Sequence, residues 1–281
     1  MPELPEIETI KGIIEPQVQG LTIKNVIVNR PEVIAYPAAN AFCDLLTGQT
    51  ISHMERRGKF LLFALDSGDR IVLHLRMTGC LLLTPAGHPE EKHTHIIFEL
   101  NNDMELRFSD MRRFGRFWLI QAGENDTYSG IDKLGPDPIG DGLTPEFLEA
   151  RVGKRKKPIK VCLMDQKIIA GIGNIYSDEI LFSAGIHPGR PADSLSADEW
   201  ERLAETIPEV LAWFIEKDSV TPEEYLRGRG RDYRNTPFLQ VYGREGGPCR
   251  ICKTSLCRTV IGGRSSTFCP VCQMDFLRSA D

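Results

Sequence analysis

Two Cys-x-x-Cys pairs, Cys249 with Cys252 and Cys269 with Cys272, stand sixteen residues apart near the C-terminal end of the chain. Each pair sets two thiolates on one turn, and two such turns facing each other close a tetrahedral Zn²⁺ site. The chain between them therefore has to double back. Thr259-Val260-Ile261 runs into Gly262-Gly263, a strand ending in a tight turn, so residues 241–281 are expected to form a hairpin pinned by one zinc ion. Four thiolates leave no open coordination position, which makes the metal structural rather than catalytic. Cys257 lies in the interval at a spacing that suits neither turn. Arg250, Lys253, Arg258 and Arg264 surround the cluster. A ribbon of this kind can serve stability alone, but its positive charge also suits it to probe phosphate or a groove.

Charge elsewhere repeats that pattern. The 281 residues carry a formal net charge of −5, which by itself argues against nucleic acid. The distribution reverses the argument. Residues 151–167 hold seven Lys or Arg against Asp165, and residues 226–278 hold ten against Asp232, Glu245 and Asp275. Local positive runs are what a phosphate backbone responds to, although a solvated face is the commoner meaning of any single run. With 41% hydrophobic and 26% charged residues the composition is that of a globular protein, and no apolar run is long enough to span a bilayer. Glu3, Glu6 and Glu8 stand where a secretory signal needs basic residues, so a cytoplasmic protein with reduced cysteines is expected.

The pattern of elements predicts an α+β chain. Short apolar or alternating runs at 21–29, 59–65, 70–75, 95–100, 105–108 and 116–120 read as strands of a sandwich or barrel, preceded by a helix with Ile7, Ile10, Ile13 and Ile14 on one side. Glycine and proline crowd residues 134–142 and mark a linker. Helix starts follow at Thr144-Pro145-Glu146, Ser196-Ala197-Asp198-Glu199 and Thr221-Pro222-Glu223-Glu224, with two more helices at about 158–166 and 174–184. The domains expected are 1–132, 133–240 and 241–281.

The first residues carry a possible chemistry. Removal of Met1 leaves Pro2 with a free secondary amine, and an α-amine titrates near pH 8, so part of it is neutral under physiological conditions. A neutral amine attacks an electrophilic sugar carbon and forms an iminium. Glu3 is placed to protonate a leaving or ring oxygen, with Glu6 as a second carboxylate. The plainer reading makes these acids helix-start residues that complement the dipole.

Several motifs acquire meaning together. Pro2-Glu3-Leu4-Pro5-Glu6, Arg57-Gly58-Lys59, His74-Leu75-Arg76-Met77-Thr78-Gly79, Asp110-Met111-Arg112-Arg113-Phe114-Gly115 and Gly171-Ile172-Gly173-Asn174-Ile175-Tyr176, followed by the cysteine hairpin with Arg264, resemble the bacterial formamidopyrimidine-DNA glycosylase family, in the family's order and over nearly the whole chain. The resemblance implies an N-terminal β-sandwich flanked by helices, a helical helix–two-turn–helix domain with the zinc-finger hairpin, and DNA lying between the two parts. It implies a monomer acting on double-stranded DNA with damaged bases: a glycosylase and abasic-site lyase on oxidised purines such as 8-oxoguanine and formamidopyrimidines.

Roles follow by position. Pro2 resembles the nucleophile, Glu3 the acid/base, Glu6 a supporting carboxylate, and Lys59 a phosphate-contacting lysine that aids catalysis. Met77, Arg112 and Phe114 match the residues that fill the space of a flipped nucleotide, whose stacking and pairing have to be replaced. His74, Asn174, Tyr242, Arg258 and Arg264 match phosphate-gripping positions, while Cys249, Cys252, Cys269 and Cys272 match the zinc ligands. Residues 226–237 fall where the family has a loop that caps the extruded base. Two other readings stay open: an endonuclease VIII-like enzyme for oxidised pyrimidines, and a non-catalytic DNA-binding zinc protein.

Overall fold

A computed structural model describes residues 2–140, 142–218, 220–230 and 236–274. Met1 and, of the loop at 226–237, residues 231–235 lie outside the described residues. The chain divides into two compact units, Met1–Asp132 with Asp218–Arg234, and Lys133–Lys217 with Asn235–Asp281. The described residues between Asp218 and Gly230 thus group with the first unit.

The first unit opens with α1 (Leu4–Val18), whose isoleucines at 7, 10, 13 and 14 are all buried. Nine strands follow: β1 (Ile23–Val28), β2 (Ile34–Tyr36), β3 (Ile51–Arg57), β4 (Phe60–Leu65), β5 (Arg70–His74), β6 (Gly79–Pro85), β7 (Thr94–Leu100), β8 (Met104–Asp110) and β9 (Arg116–Ile120), with a short α2 (Ala39–Leu46) between β2 and β3. They form a four-stranded sheet in the order β1-β7-β8-β6 and a five-stranded sheet in the order β2-β9-β5-β4-β3. Ile96, Phe98, Leu106 and Phe108 from one sheet share a hydrophobic core with Leu61, Phe63, Leu73 and Phe117 from the other. Phe108 and Phe117 meet edge to face across it, with centroids 5.0 Å apart. The core therefore lies between the two sheets, as in a β-sandwich.

Carboxylates lock α1 onto this sandwich. Glu15 accepts the Met54 amide at 2.8 Å and Glu8 accepts the Arg56 guanidinium at 2.5 Å, both on β3. β3 itself escaped the sequence reading because a register shift between Ile51 and His53 breaks its two-residue alternation. The short α7 (Pro222–Arg227) closes the unit. Its Tyr225 is buried in the core and donates its hydroxyl to the Leu81 carbonyl at 2.9 Å.

The second unit is helical, with α3 (Pro145–Val152), α4 (Ile159–Leu163), α5 (Asn174–Ser183) and α6 (Ala197–Lys217) packing through Leu148, Ile159, Leu163, Tyr176, Ile180, Leu203, Ile207 and Leu211. The expected N-cap is present at Thr144, which accepts the Phe147 amide at 3.1 Å. Ser196 and Glu199 form the reciprocal pair of a capping box. The cysteine segment follows as β10 (Cys257–Ile261) and β11 (Arg264–Phe268), antiparallel and joined by Gly262 and Gly263, both at positive φ as a type I′ turn requires. A side chain at Gly262 would meet Val161 of α4 at 2.7 Å.

Two neighbouring acids on α5 attach the hairpin. Asp178 accepts Ser266 Oγ at 2.6 Å, the Thr267 amide at 3.0 Å and Lys160 Nζ at 2.7 Å, and Lys160 also donates to the Ser265 carbonyl. The Lys160 and Asp178 side chains are both 0% exposed. Glu179 accepts the amides of Gln240, Val241 and Tyr242 between 2.8 and 3.0 Å. Burial pushes both carboxyls up, and these donors pull the other way. Removing one member of a buried charged pair strands the other, so Asp178→Ala is expected to lower the unfolding free energy by about 3 kcal/mol or more, read by thermal or denaturant melting.

Candidate functional site

Each functional residue is positioned by its element. Pro2 is buried immediately before α1, and Glu3 is that helix's N-cap. The Glu3 amide donates to Glu6 Oε2 at 2.8 Å, so the second carboxylate ties down the backbone that carries the first. Both acids are buried. They are helix-start acids, as the plainer reading has it, but buried ones, and the structure brings Pro2, Glu3 and Glu6 together at one helix start.

Lys59 is buried at the turn between β3 and β4, where Gly58 takes φ +56°. The same edge holds His74 at the end of β5, its ring edge-on to Phe60 with centroids 4.6 Å apart. His74 Nδ1 accepts the Arg76 amide at 3.0 Å, which leaves the proton on Nε2. Burial, with the positive charges of Arg76 and Lys59 beside it, pulls the His74 pKa down to about 3. The ring is then a neutral N–H donor throughout the physiological range.

Met77, Arg112 and Phe114 converge on the surface of the same unit. Met77 is 43% exposed and Phe114 46%. The Arg112 guanidinium bridges them, 2.9 Å from Met77 Sδ and 4.7 Å above the Phe114 ring. They stand on loops in which Arg76 and Arg113 adopt positive φ, 58° and 56°, an uncommon conformation for side-chain-bearing residues. Asp110 holds both loops. It is wholly buried and accepts the Thr78 hydroxyl, the Arg112 amide at 3.1 Å and the Gly115 amide at 2.8 Å. Its carbonyl accepts His95 Nε2 at 2.7 Å. A side chain at Gly115 would collide with Phe108 at 2.4 Å. Sequence reasoning gave Asp110 no role of its own within its motif; the available signal was an acid at the end of an alternating strand.

In the second unit, Gly171-Ile172-Gly173 leads into Asn174 at the first position of α5. Gly171 takes φ +93°, and Gln166 spans the turn by accepting the Gly171 amide at 2.9 Å and donating to the Ile172 carbonyl at 2.7 Å. The α5 N-terminus carries the positive end of the helix dipole, which suits an anion. The Tyr242 backbone is fixed by Glu179, while Arg258 and Arg264 project from β10 and β11, both exposed. Glu179 and Gln166 were missed in the sequence, although Asp178-Glu179 is an acidic pair directly before the apolar run Ile180-Leu181-Phe182.

The four cysteines come together as their spacing requires. Their sulfurs lie within 4.8 Å of one another, with Cys249 to Cys272 at 3.9 Å and Cys252 to Cys269 at 3.4 Å. Four Zn–S bonds of about 2.3 Å give tetrahedral edges of about 3.8 Å, so the donor set fits a zinc ion. Cys257 starts β10, exposed and outside the cluster. Buried Gln273 accepts the Cys269 amide and donates to the Ile186 carbonyl, joining one metal-binding turn to the helical unit. Among the described residues no helix is long and apolar enough to cross a membrane.

Comparison with known proteins agrees with this geometry. Residues 1–117 match the model of the formamidopyrimidine-DNA glycosylase N-terminal domain, and residues 134–224 match that of the family's H2TH domain. The formamidopyrimidine-DNA glycosylase of Bacillus cereus is 42% identical over 97% of this chain and 99% of its own. That of Carboxydothermus hydrogenoformans is 43% identical over 97% and 100%. Among solved structures, a Lactococcus lactis Fpg complex with abasic-site DNA superposes with a TM-score of 0.89 at 32% identity, covering 97% of this chain and 100% of that one. A second Lactococcus lactis complex, with Fapy-dG DNA, gives 0.88 at 33% identity over 97% and 100%. The fold and the site define a DNA-repair glycosylase with a cysteine-pinned hairpin. The chain belongs to the formamidopyrimidine-DNA glycosylase family.

Two outcomes are expected. Asp110→Asn keeps the shape but loses charge-assisted acceptance of two amides and a hydroxyl, and should lower stability by about 2 kcal/mol in a melting experiment. For His74 the folded pKa lies far below the ordinary value of 6.5, so its contribution is full above pH 6.5 and is lost as pH falls toward 3. Wild-type stability should decline by up to about 1.4 kcal/mol per pH unit through this window, and His74→Gln should remove that part of the slope.

Proposed function

We propose that this protein is a bifunctional DNA glycosylase and abasic-site lyase that excises oxidised purines from double-stranded DNA through a Schiff base on Pro2. The observation that carries the reading is the pairing of a buried proline at the chain start with two buried carboxylates on the adjoining helix turn. With Met1 removed, the secondary amine of Pro2 attacks C1′ of the damaged nucleotide, and the C1′–N bond breaks with its electron pair leaving on the base. Glu3 supplies a proton to the ring oxygen O4′, the ring opens, and an iminium joins Pro2 to C1′. The iminium acidifies the C2′ proton. Its loss expels the 3′ phosphate, and a second elimination expels the 5′ phosphate.

The remaining residues serve binding. Extruding a nucleotide costs stacking and pairing, and Met77 and Phe114 offer apolar surface with Arg112 between them as a donor to the unpaired base. Lys59, His74, Asn174, Tyr242, Arg258 and Arg264 contact phosphates. Of these His74 acts as a neutral donor, so it adds a hydrogen bond without adding to the salt dependence of binding. One Zn²⁺ on Cys249, Cys252, Cys269 and Cys272 holds the hairpin that presents Arg258 and Arg264, and takes no part in the reaction. The protein acts as a monomer in the cytoplasm.

Incubation with duplex DNA containing 8-oxoguanine in the presence of borohydride should yield a covalent protein–DNA adduct. Pro2→Gly, or retention of Met1, should abolish it; failure of correctly processed, zinc-loaded protein to form any adduct would sink the reading. Should an oxidised pyrimidine be cut and the purines spared, the enzyme belongs with the endonuclease VIII type. Cys269→Ser should lower bound zinc from about one ion per chain, together with melting temperature and DNA affinity; unchanged zinc content would contradict the ligand set.

A further inference from the structure

One side chain closes the turn between α4 and α5. Gln166 donates from Nε2 to the Met164 carbonyl at 3.0 Å and to the Ile172 carbonyl at 2.7 Å, while its Oε1 accepts the Gly171 amide at 2.9 Å. Both amide protons and the oxygen are thereby engaged. Met164 is the C-cap of α4, and Ile172 stands two residues before Asn174, the first residue of α5. A single carboxamide thus ties the end of one helix to the approach of the next. The rest of the loop is held from its other side. The Gln166 carbonyl accepts the Gly135 amide at 2.8 Å, the Pro136 carbonyl accepts the Ala170 amide at 3.0 Å, and a side chain at Gly135 would collide with the Ile168 carbonyl.

The freedom that remains lies in Gly171-Ile172-Gly173. Gly171 takes φ +93°, a conformation that favours glycine, and Gly173, the N-cap of α5, has no side chain to bond the first amides of the helix. Asn174 Oδ1 is buried and meets no hydrogen-bond partner among the described residues, so that oxygen does nothing to fix the side chain. The backbone leading into Asn174 has to set its place. In that backbone the Gly171 amide and the Ile172 carbonyl both end on Gln166.

We propose that Gln166 is a positioning residue for DNA binding, which holds Asn174 where it meets a phosphate before the duplex arrives. The inference rests on Asn174 contacting phosphate and is independent of the chemistry at Pro2. A turn with two glycines that is loose in the free protein has to be ordered when DNA binds, and that ordering is subtracted from the affinity. With Gln166 in place the turn is ordered beforehand. Only a carboxamide suits the three partners. A carboxylate of the same shape would accept the Gly171 amide but set an oxygen against two carbonyls, and a thioether would bond none of them. Gln166 acts through Asn174 and not on the phosphate itself.

The test is the binding of duplex DNA with a reduced abasic site, which offers no aldehyde for capture, measured by fluorescence anisotropy at fixed salt. Wild type, Gln166→Met, Asn174→Ala and the double variant are compared. Gln166→Met should raise Kd by about fivefold to tenfold, the scale of one or two buried hydrogen bonds. On top of Asn174→Ala the same change should raise it by less than about twofold, because the contact it serves is already gone. In single-turnover borohydride capture on an abasic-site duplex, the loss should fall on the half-saturating protein concentration more than on the limiting rate. A purely structural role would lower the melting temperature and weaken binding by the same factor in both backgrounds. Losses that multiply independently, or an unchanged Kd for folded Gln166→Met, would overturn the proposal. If Asn174→Ala binds as tightly as wild type, Asn174 drops out of the phosphate contacts and the inference goes with it, while adduct formation by wild type leaves the Schiff-base reading standing. Should Gln166→Met fail to fold, Gln166→Glu decides in the same way.

Discussion

A buried carboxylate has to find its hydrogen-bond donors inside the protein, and in the first unit Asp110 finds them on two separate loops. Its oxygens take the Thr78 hydroxyl and the amides of Arg112 and Gly115, so the loop after β5 and the loop after β8 share one anchor. The exposed trio of Met77, Arg112 and Phe114 depends on that anchor, because each member stands within a few residues of a group that Asp110 holds. Exposed apolar side chains lack the packing that would order them. Here the order comes from beneath, through backbone fixed at positive φ and a glycine too crowded to be replaced.

The second unit uses the same device for another purpose. Asp178 and Glu179, adjacent on α5, direct their oxygens to β11 and to the backbone of residues 240–242. A hairpin of five-residue strands has little core of its own. It is held at its base by the cysteine cluster and along its length by Lys160 and Asp178, so the arginines it carries are presented on a firm support. Glu6 works in kind at the start of α1, where it restrains the residue next to the proline. In all three places a carboxylate trades its hydration for control over where a neighbouring segment lies.

What the sequence revealed tracks how local each signal is. The Cys-x-x-Cys pairs, the Gly262-Gly263 turn and the caps at Thr144 and Ser196 are set by residues a few positions apart, and each stands where it was expected. β4, β5, β7 and β9 carry continuous apolar runs and were visible for that reason. β2, β6 and α2 were not, β2 and α2 being three and eight residues long and β6 in spite of its Leu81-Leu82-Leu83 run, and β3 was hidden by its bulge. The convergence of Met77 with Arg112 and Phe114 required motifs more than thirty residues apart to be read together. Asp178 bonds Ser266 across 88 positions, and Glu179 bonds the Val241 amide across 62. Nothing in the residues around these acids announces a partner so remote.

The first unit is discontinuous in the chain, and this bears on how the protein is made. Synthesis delivers both sheets by residue 132, yet Tyr225, which fills the sandwich and bonds the Leu81 carbonyl, emerges only after α3 to α6. Until then the nascent sandwich carries an unfilled space against β6. The helical unit likewise waits for β10 and β11 to satisfy Lys160 and Asp178. Each unit matures late and nearly together with the other, so neither can be obtained whole by cutting the gene at a single point.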